Sequence, residues 1–385
     1  MKRQILLLLC IVFVIRGSSQ TNNTYTITSG SVQRSYILYV PALYNASHPT
    51  PLLFNFHGYG SNDTQQEGYG EFRPIADTAN FLIVLPQGLV SGGYAGFSNF
   101  GTVASASVDL DFTNELIDSI SAKYNIDPCR IYSTGMSNGG FMSHDLACFL
   151  SNRFAAIASV SGSMMPSHAS ACNPTHPLPV MQIHGTSDST VAYDGKGGII
   201  ASIDIDTLIQ KWVSLNHCNP LPVLTAVPNV STTDNCTAQH YVYSGGSRNS
   251  TVEFYKIIGG GHAWPGASYN IPGINTNQDF SASKEIWRFL RQYSLCTLTG
   301  VQEVSSTENE LTLFPNPVQS LLSFTSSSAV HGMRMVTISD ITGRVVLHQQ
   351  TEGESISIES LSPGLYFLSL REGSQREITA KFIKN

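Results

Sequence analysis

Seven short runs of apolar and β-branched residues, separated by loops and helical patterns, constrain this chain more than any other feature. They are Tyr36–Val40, Leu52–Phe56, Phe81–Leu85, Arg130–Thr134, Ala156–Val160, Val180–His184 and Val252–Ile258. They are mostly apolar rather than alternating, as expected of strands covered on both faces. Between them, Leu116, Ile117, Ile120 and Tyr124 give Asp111–Tyr124 a helical spacing. Asn138–Leu150, Ile205–Leu215 and Ser281–Tyr293 read as further helices, with Trp212, Ile286 and Phe289 on apolar faces. Strand–helix alternation of this kind predicts an α/β fold with a mostly parallel central sheet and helices on both of its faces.

The pattern changes after Cys296. Leu298–Glu310 is polar and aperiodic and reads as a linker. Beyond it come the short runs Leu311–Phe314, Leu321–Thr325, Met335–Ser339, Arg344–Leu347, Ser355–Ile358 and Gly364–Leu370, with Ile341-Thr342-Gly343 as a hairpin turn. Residues 311–385 therefore read as a small all-β sandwich, long enough to fold alone. At the other end, Lys2 and Arg3 precede the uncharged run Ile5–Ile15, and Gly17 and Ser19 occupy the positions a signal peptidase reads. A bilayer span needs roughly 20 apolar residues, so this run reads as a signal peptide cleaved before Gln20, not as an anchor. The expected organisation is a signal peptide over 1–19, an α/β domain over 20–297, a linker over 298–310 and the sandwich over 311–385.

Charged residues make up only 12 % of the chain and the net charge is −6. There is no basic stripe for nucleic acid and no Lys/Arg cluster for an anionic membrane. Six cysteines follow the signal peptide: Cys129, Cys148, Cys172, Cys218, Cys236 and Cys296. An even number in an exported chain favours disulfides. Their count leaves the connectivity open; Cys148–Cys172 and Cys218–Cys236 would each close a local loop, and Cys129–Cys296 would then tie the last helix to the core. No Cys-x-x-Cys or His-x-x-x-His pair occurs, so no metal site is expected.

The chemistry is carried by Gly135-Met136-Ser137-Asn138-Gly139, which follows the run Arg130–Thr134 and opens the helix from Asn138. A Gly-x-Ser-x-Gly between strand and helix is a nucleophile elbow: a sharp turn that lifts the serine hydroxyl above the sheet. The glycines leave room for neighbouring strand and helix, with Gly140 relieving the same crowding, and the helix N-terminus favours developing negative charge. A neutral serine hydroxyl needs a base, and in this arrangement the acid and then the histidine follow the serine in sequence. Asp188, in His184-Gly185-Thr186-Ser187-Asp188 after the run Val180–His184, is the expected acid, with Asp194 as its neighbouring rival. Gly259-Gly260-Gly261-His262-Ala263-Trp264-Pro265-Gly266 follows the last strand and offers His262 as the base; His57 and His184 also stand at strand ends. For the oxyanion, the expected donors are the backbone N–H groups of Asn138 and of Tyr59, the latter in His57-Gly58-Tyr59-Gly60 after Leu52–Phe56.

Five phrases, HGYGSN, LPQG, IDPCRIYSTGMSNGG, HGTSD and GGGHAWPG, occur in order between about Ser31 and Tyr293. Through them the chain resembles the polyhydroxybutyrate-depolymerase-like and feruloyl-esterase-like family of secreted esterases. The resemblance implies an α/β-hydrolase fold, carboxylic-ester hydrolysis without a cofactor, a triad of Ser137, Asp188 and His262, and oxyanion donors at Tyr59 and Asn138. In two places the chain departs from the family. Phe97 stands where a tryptophan is common, and Leu110 separates Asp109 from Asp111 where aspartates are often adjacent. Both places are expected to border the acyl pocket. The tail, through Leu313-Phe314-Pro315-Asn316-Pro317, Ile338–Gly343, Leu361–Phe367 and Lys381–Lys384, resembles the C-terminal sorting domain of type IX (Por) secretion. That implies passage through the periplasm and release or attachment at the cell surface, with the secretion machinery as partner.

The expected function is hydrolysis of feruloyl or acetyl esters of plant polysaccharide, or of polyhydroxyalkanoate chains, by a monomer. A hydrolase fold without activity, used for binding or adhesion, is the alternative from a different class. The intact set of Ser137, Asp188 and His262 argues against it. A peptidase of the same fold is disfavoured by the lack of a propeller or lid domain, and a lipase by the lack of a long apolar lid insertion.

Overall fold

A computed structural model describes residues 20–100, 102–268, 272–296, 311–326, 333–340, 343–372 and 378–385. The signal peptide, the linker and the Ile341-Thr342 part of the hairpin turn lie outside the described residues. The chain divides into two compact units, Met1–Thr297 and Leu298–Asn385.

The first unit is an α/β layered structure. Its strands are β1 (Thr21–Ser29), β2 (Val32–Val40), β3 (Thr50–Phe56), β4 (Leu82–Pro86), β5 (Leu89–Ser91), β6 (Tyr94–Gly96), β7 (Ile126–Met136), β8 (Ala156–Val160), β9 (Val180–Gly185), β10 (Val223–Ala226), β11 (Thr237–Tyr243) and β12 (Val252–Ile258). Its helices are α1 (Asp63–Tyr69), α2 (Arg73–Ala79), α3 (Val103–Ser121), α4 (Asn138–Phe149), α5 (Pro166–Ala171), α6 (Ile205–Leu215) and α7 (Ala282–Leu290). Ten strands form one sheet in the order β1-β2-β4-β3-β7-β8-β9-β12-β11-β10, while β5 and β6 make a separate hairpin. The pairings from β4 through β12 are parallel and the two edges are antiparallel. This is the α/β-hydrolase arrangement expected from the sequence.

Alternate residues of each strand feed two cores. Leu82 and Val84 pack with α3, α4 and α6 on one face, whereas Ile83 and Leu85 pack with α2 and α7 on the other. Burial on both faces is why these strands read as mostly apolar runs without strict alternation. The same rule explains the strands absent from the sequence reading. β1 is a largely exposed edge strand, and every residue of β10 at the opposite edge is exposed. β1 carries no apolar run, and the four residues of β10 are too few to show a period. Helices α1 and α2 are seven residues each, too short to show a periodicity. α3 begins at Val103, eight residues before the expected start at Asp111.

Disulfides join Cys129 to Cys296 and Cys148 to Cys172, with Cα–Cα distances of 5.1 and 4.7 Å. The expected Cys218–Cys236 bond is absent: both are buried free thiols. Cys218 belongs to the core that holds α6, and Cys236 to the core that holds α7. The sheet therefore lies between them, and closeness in sequence does not bring them within bonding reach.

The second unit is all β, with a three-stranded sheet (Leu311–Phe314, Leu321–Ser326, Ser355–Ser357) and a four-stranded sheet (Arg334–Asp340, Val345–Thr351, Gly364–Glu372, Ile378–Lys384). Leu322, Phe324 and Ile356 of one sheet share a core with Val336, Ile338, Leu368, Leu370 and Phe382 of the other, which makes a sandwich.

Candidate active site

β7 runs through the middle of the sheet between β3 and β8, and α4 starts one residue after it ends. That one residue is Ser137, with φ 55° and ψ −119°. A side chain at positive φ costs about 1–3 kcal/mol and persists only where the surroundings enforce it. Here the Ser137 N–H donates to Val160 O at 2.8 Å, and the Phe141 N–H returns to Ser137 O at 3.0 Å. The turn also requires bare backbone. A Cβ on Gly135 would sit 2.6 Å from Phe56 O, and one on Gly139 would sit 2.1 Å from it.

Ser137 and His262 line a common cavity of about 790 Å³, walled by Tyr59, Tyr69, Met136, Trp264 and Ala267. Among the described residues, none makes a hydrogen bond to Ser137 Oγ, a looseness common in ligand-free sites. His262 Nδ1 donates to Asp188 Oδ2 at 2.8 Å, which fixes the tautomer and leaves Nε2 as the free acceptor. Asp188 is buried, and its other oxygen accepts the Thr190 and Val191 N–H groups, each at 2.9 Å. Burial pushes its carboxyl up, but the His262 hydrogen bond and the neighbouring imidazoles outweigh that, holding it below the usual aspartate range. Asp194 is exposed and accepts the Lys196 N–H within its own turn.

The other two strand-end histidines have different surroundings. His184 is buried behind Asp188, 3.5 Å from Oδ2, and donates from Nε2 to Val191 O at 2.9 Å. Gln182 Nε2 donates to His184 Nδ1 at 3.1 Å, Gln182 Oε1 accepts from His144 Nε2 at 3.1 Å, and Trp212 Nε1 donates to His144 Nδ1 at 3.2 Å. This chain of neutral groups supports the acid from below. Burial lowers the pKa of both imidazoles, that of His144 to about 4. Gln182 and His144 were not picked out in the sequence, although a glutamine and a histidine on the same face of the run Val180–Gly185 were the available signal.

His57 lies beneath the loop of the expected oxyanion donor. Gly88 N–H donates to its Nε2 at 2.9 Å, so Nδ1 carries the proton and donates to Gly58 O at 2.7 Å. Burial lowers its pKa and keeps it neutral. In a trans peptide the C=O and the following N–H point opposite ways, so holding Gly58 O turns the Tyr59 N–H away from His57. The Gly58 N–H is itself engaged by Tyr69 Oη at 3.3 Å. Asn138 is the first residue of α4, so its N–H has no carbonyl one turn back. Its side chain is locked: Oδ1 accepts the Phe97 N–H at 2.7 Å, Nδ2 donates to Asn99 Oδ1, and Asn99 Nδ2 donates to Asn138 O at 3.0 Å.

The two family departures do not border the cavity. Phe97 is buried against His57 and Phe56, with ring centroids 4.9 and 5.1 Å apart. Asp109 is fully buried and paired with Arg34, while Asp111 is exposed. A pocket-lining role was expected for them as departures from the family pattern, but the packing of α3 directs Asp109 inward.

A family model for "Phospholipase/Carboxylesterase" matches residues 102–196, which include Ser137 and Asp188. A model for "Secretion system C-terminal sorting domain" matches residues 312–385. Feruloyl esterase C of Emericella nidulans is 30 % identical over 209 residues, 51 % of this chain and 68 % of that protein. Feruloyl esterase B of Piromyces equi is 26 % identical over 68 % of this chain and 46 % of its own length. A bifunctional acetylxylan esterase/xylanase of Neocallimastix patriciarum is 25 % identical over 72 % of this chain and 36 % of its own length. The chain thus spans less than half the length of these last two relatives.

Proposed function

Since the chain belongs to the feruloyl-esterase family of α/β-hydrolases, we propose that it is an exported serine esterase of plant-polysaccharide esters, with Ser137, His262 and Asp188 as its triad. The observation that carries this reading is the meeting of a strained Ser137 and an Asp188-tethered His262 in one cavity. His262 Nε2 takes the Ser137 proton as Oγ bonds to the ester carbonyl carbon. The oxyanion forms against the N–H groups of Tyr59 and Asn138. Collapse expels the alcohol, which takes the proton from the imidazolium, and water then releases the acid from Ser137 by the same steps in reverse roles. Asp188 stays ionised throughout and stabilises the imidazolium.

A cavity of about 790 Å³ walled by Tyr69, Met136 and Trp264 suits an aromatic acyl group better than acetyl, and favours feruloyl esters. The test is a panel of methyl ferulate, acetylated xylan, p-nitrophenyl esters of rising chain length and polyhydroxybutyrate. Methyl ferulate should give the highest kcat/KM. A preference for acetyl esters overturns the aryl assignment, and a folded protein without turnover on any ester favours the alternative of a binding module.

The sorting-domain match supports export, with residues 1–19 removed, 20–297 as the esterase domain, 298–310 as linker and 311–385 addressing the chain through the periplasm to the type IX machinery. Deleting residues 311–385 is expected to leave active enzyme in the periplasm of a type IX-competent host. Truncated enzyme reaching the medium at the full-length level refutes the sorting role. The proposed triad and cavity come from one chain, so the reading requires no second copy.

A further inference from the structure

The buried pair of Arg34 and Asp109 has no part in the reaction just described, yet it lies where two hydrogen-bonded arms converge. Arg34 Nη2 donates to Asp109 Oδ1 at 2.7 Å and to Gln87 O at 3.2 Å, and its guanidinium carbon lies 3.9 Å from the Phe112 ring centroid. From Gln87 the first arm passes to the next residue: Gly88 N–H to His57 Nε2, then His57 Nδ1 to Gly58 O, which sets the direction of the Tyr59 N–H. The second arm starts at the other oxygen of Asp109, which accepts the Ser98 N–H at 2.6 Å. Ser98 stands between Phe97 and Asn99, the two residues that clamp Asn138.

Two charges with side-chain exposures of 1 % and 0 % are costly to bury and contribute little net stability compared with apolar residues of the same shape. Their geometry has another use. We propose that Arg34 and Asp109 are positioning residues that brace both oxyanion donors at once, Tyr59 through His57 and Asn138 through Ser98. The inference rests on the esterase reading above and names the support of that same site. An oxyanion hole works because its donors are fixed before the charge develops, so a shift of a fraction of an ångström in either loop lowers transition-state stabilisation while leaving the ground-state ester largely unaffected.

The experiment uses the full chain with Arg34→Met, Asp109→Asn and the double substitution Arg34→Met/Asp109→Leu. Each is assayed on the best ester of the panel and titrated with an arylboronic acid, which adds to Ser137 as a tetrahedral anion. Each variant is expected to lose about 10- to 100-fold in kcat with KM within about twofold, and to lose boronate affinity by a similar factor. The double variant removes both charges together and is expected to keep the wild-type unfolding midpoint, because no unpaired charge is left inside. Arg34→Lys, assayed beside them, keeps both charges inside but loses the planar fork that reaches Asp109 and Gln87 O together, and gives a folded alternative should the double variant not fold. A purely structural pair predicts the reverse: activity and boronate affinity that return to wild type in whichever variant is fully folded. That result overturns the proposal. A wild-type chain that hydrolyses no ester sinks the esterase reading instead, so the two failures are distinguishable.

Discussion

Ser137→Ala is expected to lower kcat on the best ester by about 10⁴- to 10⁶-fold, with KM little changed. Truncation removes the atom that bonds to the carbonyl carbon but leaves the cavity and the backbone donors in place, so binding and a residual rate survive. His262→Ala should cost nearly as much, because an unactivated hydroxyl is a poor nucleophile. The double variant should be no slower than Ser137→Ala alone, since residues acting as one unit are not additive. Stopped-flow release of p-nitrophenol checks both points: the wild type should show a burst of about one equivalent as the acyl-enzyme fills, and both variants should lose it. A Ser137→Ala protein that turns over within tenfold of wild type would remove the serine from the mechanism. Additive losses in the double variant would instead break the link between Ser137 and His262.

The second large effect concerns acid. His144, held at about 4 by burial, accepts no proton in the folded state over a range where an unfolded histidine does. Its contribution to stability is complete above pH ~6.5 and is lost as pH falls towards 4, because the unfolded chain gains protons there and the native chain does not. The cost is about 1.4 kcal/mol per pH unit, or on the order of 3 kcal/mol by pH 4 from this group alone. His57 and His184, also lowered by burial, act with the same sign. Asp145 opposes them: burial raises its carboxyl to about 6, so the native state gains from its protonation as pH falls. The His144→Gln variant isolates the first term. Glutamine can still accept from Trp212 and donate to Gln182, but it does not titrate. Urea midpoints of the full chain are to be compared at pH 7 and 4.5, followed by tryptophan fluorescence; all three tryptophans, Trp212, Trp264 and Trp287, lie in the esterase unit. Wild type should lose roughly 2–3 kcal/mol more than His144→Gln between the two pH values. Equal losses would show that His144 is protonated in the folded state and that the hydrogen-bonded chain behind Asp188 is arranged differently.

The residues proposed to carry the chemistry were legible because their demands are local. A serine between a buried strand and a helix, flanked by glycines, specifies the elbow: the glycines are required by the approach of Phe56 O to Gly135 and Gly139. Asp188 and His262 were legible for a related reason. Each follows a mostly apolar run, and such runs become central strands whose ends gather at one edge of the sheet. The same logic separates the sheet's two edges from its middle. β1 escaped notice because it is an exposed edge strand without an apolar run, and β10 because its four residues are too few to show a period.

Only the tertiary structure decided which of several equivalent residues does what. His57, His184 and His262 all stand at strand ends, and the sequence ranked them by order alone. Packing placed one under the oxyanion loop, one behind the acid and one in the cavity. Cys218 and Cys236 are close in sequence but belong to opposite faces of the sheet, a separation that spacing along the chain does not encode. Arg34 and Asp109 are 75 residues apart and meet in the interior. Local pattern is set by the covalent chain and its periodicity, whereas a long-range pair depends on the full three-dimensional packing. The sequence by itself therefore determined the fold and the candidates for the reacting residues. The buried network that holds those residues in place came from the tertiary structure alone.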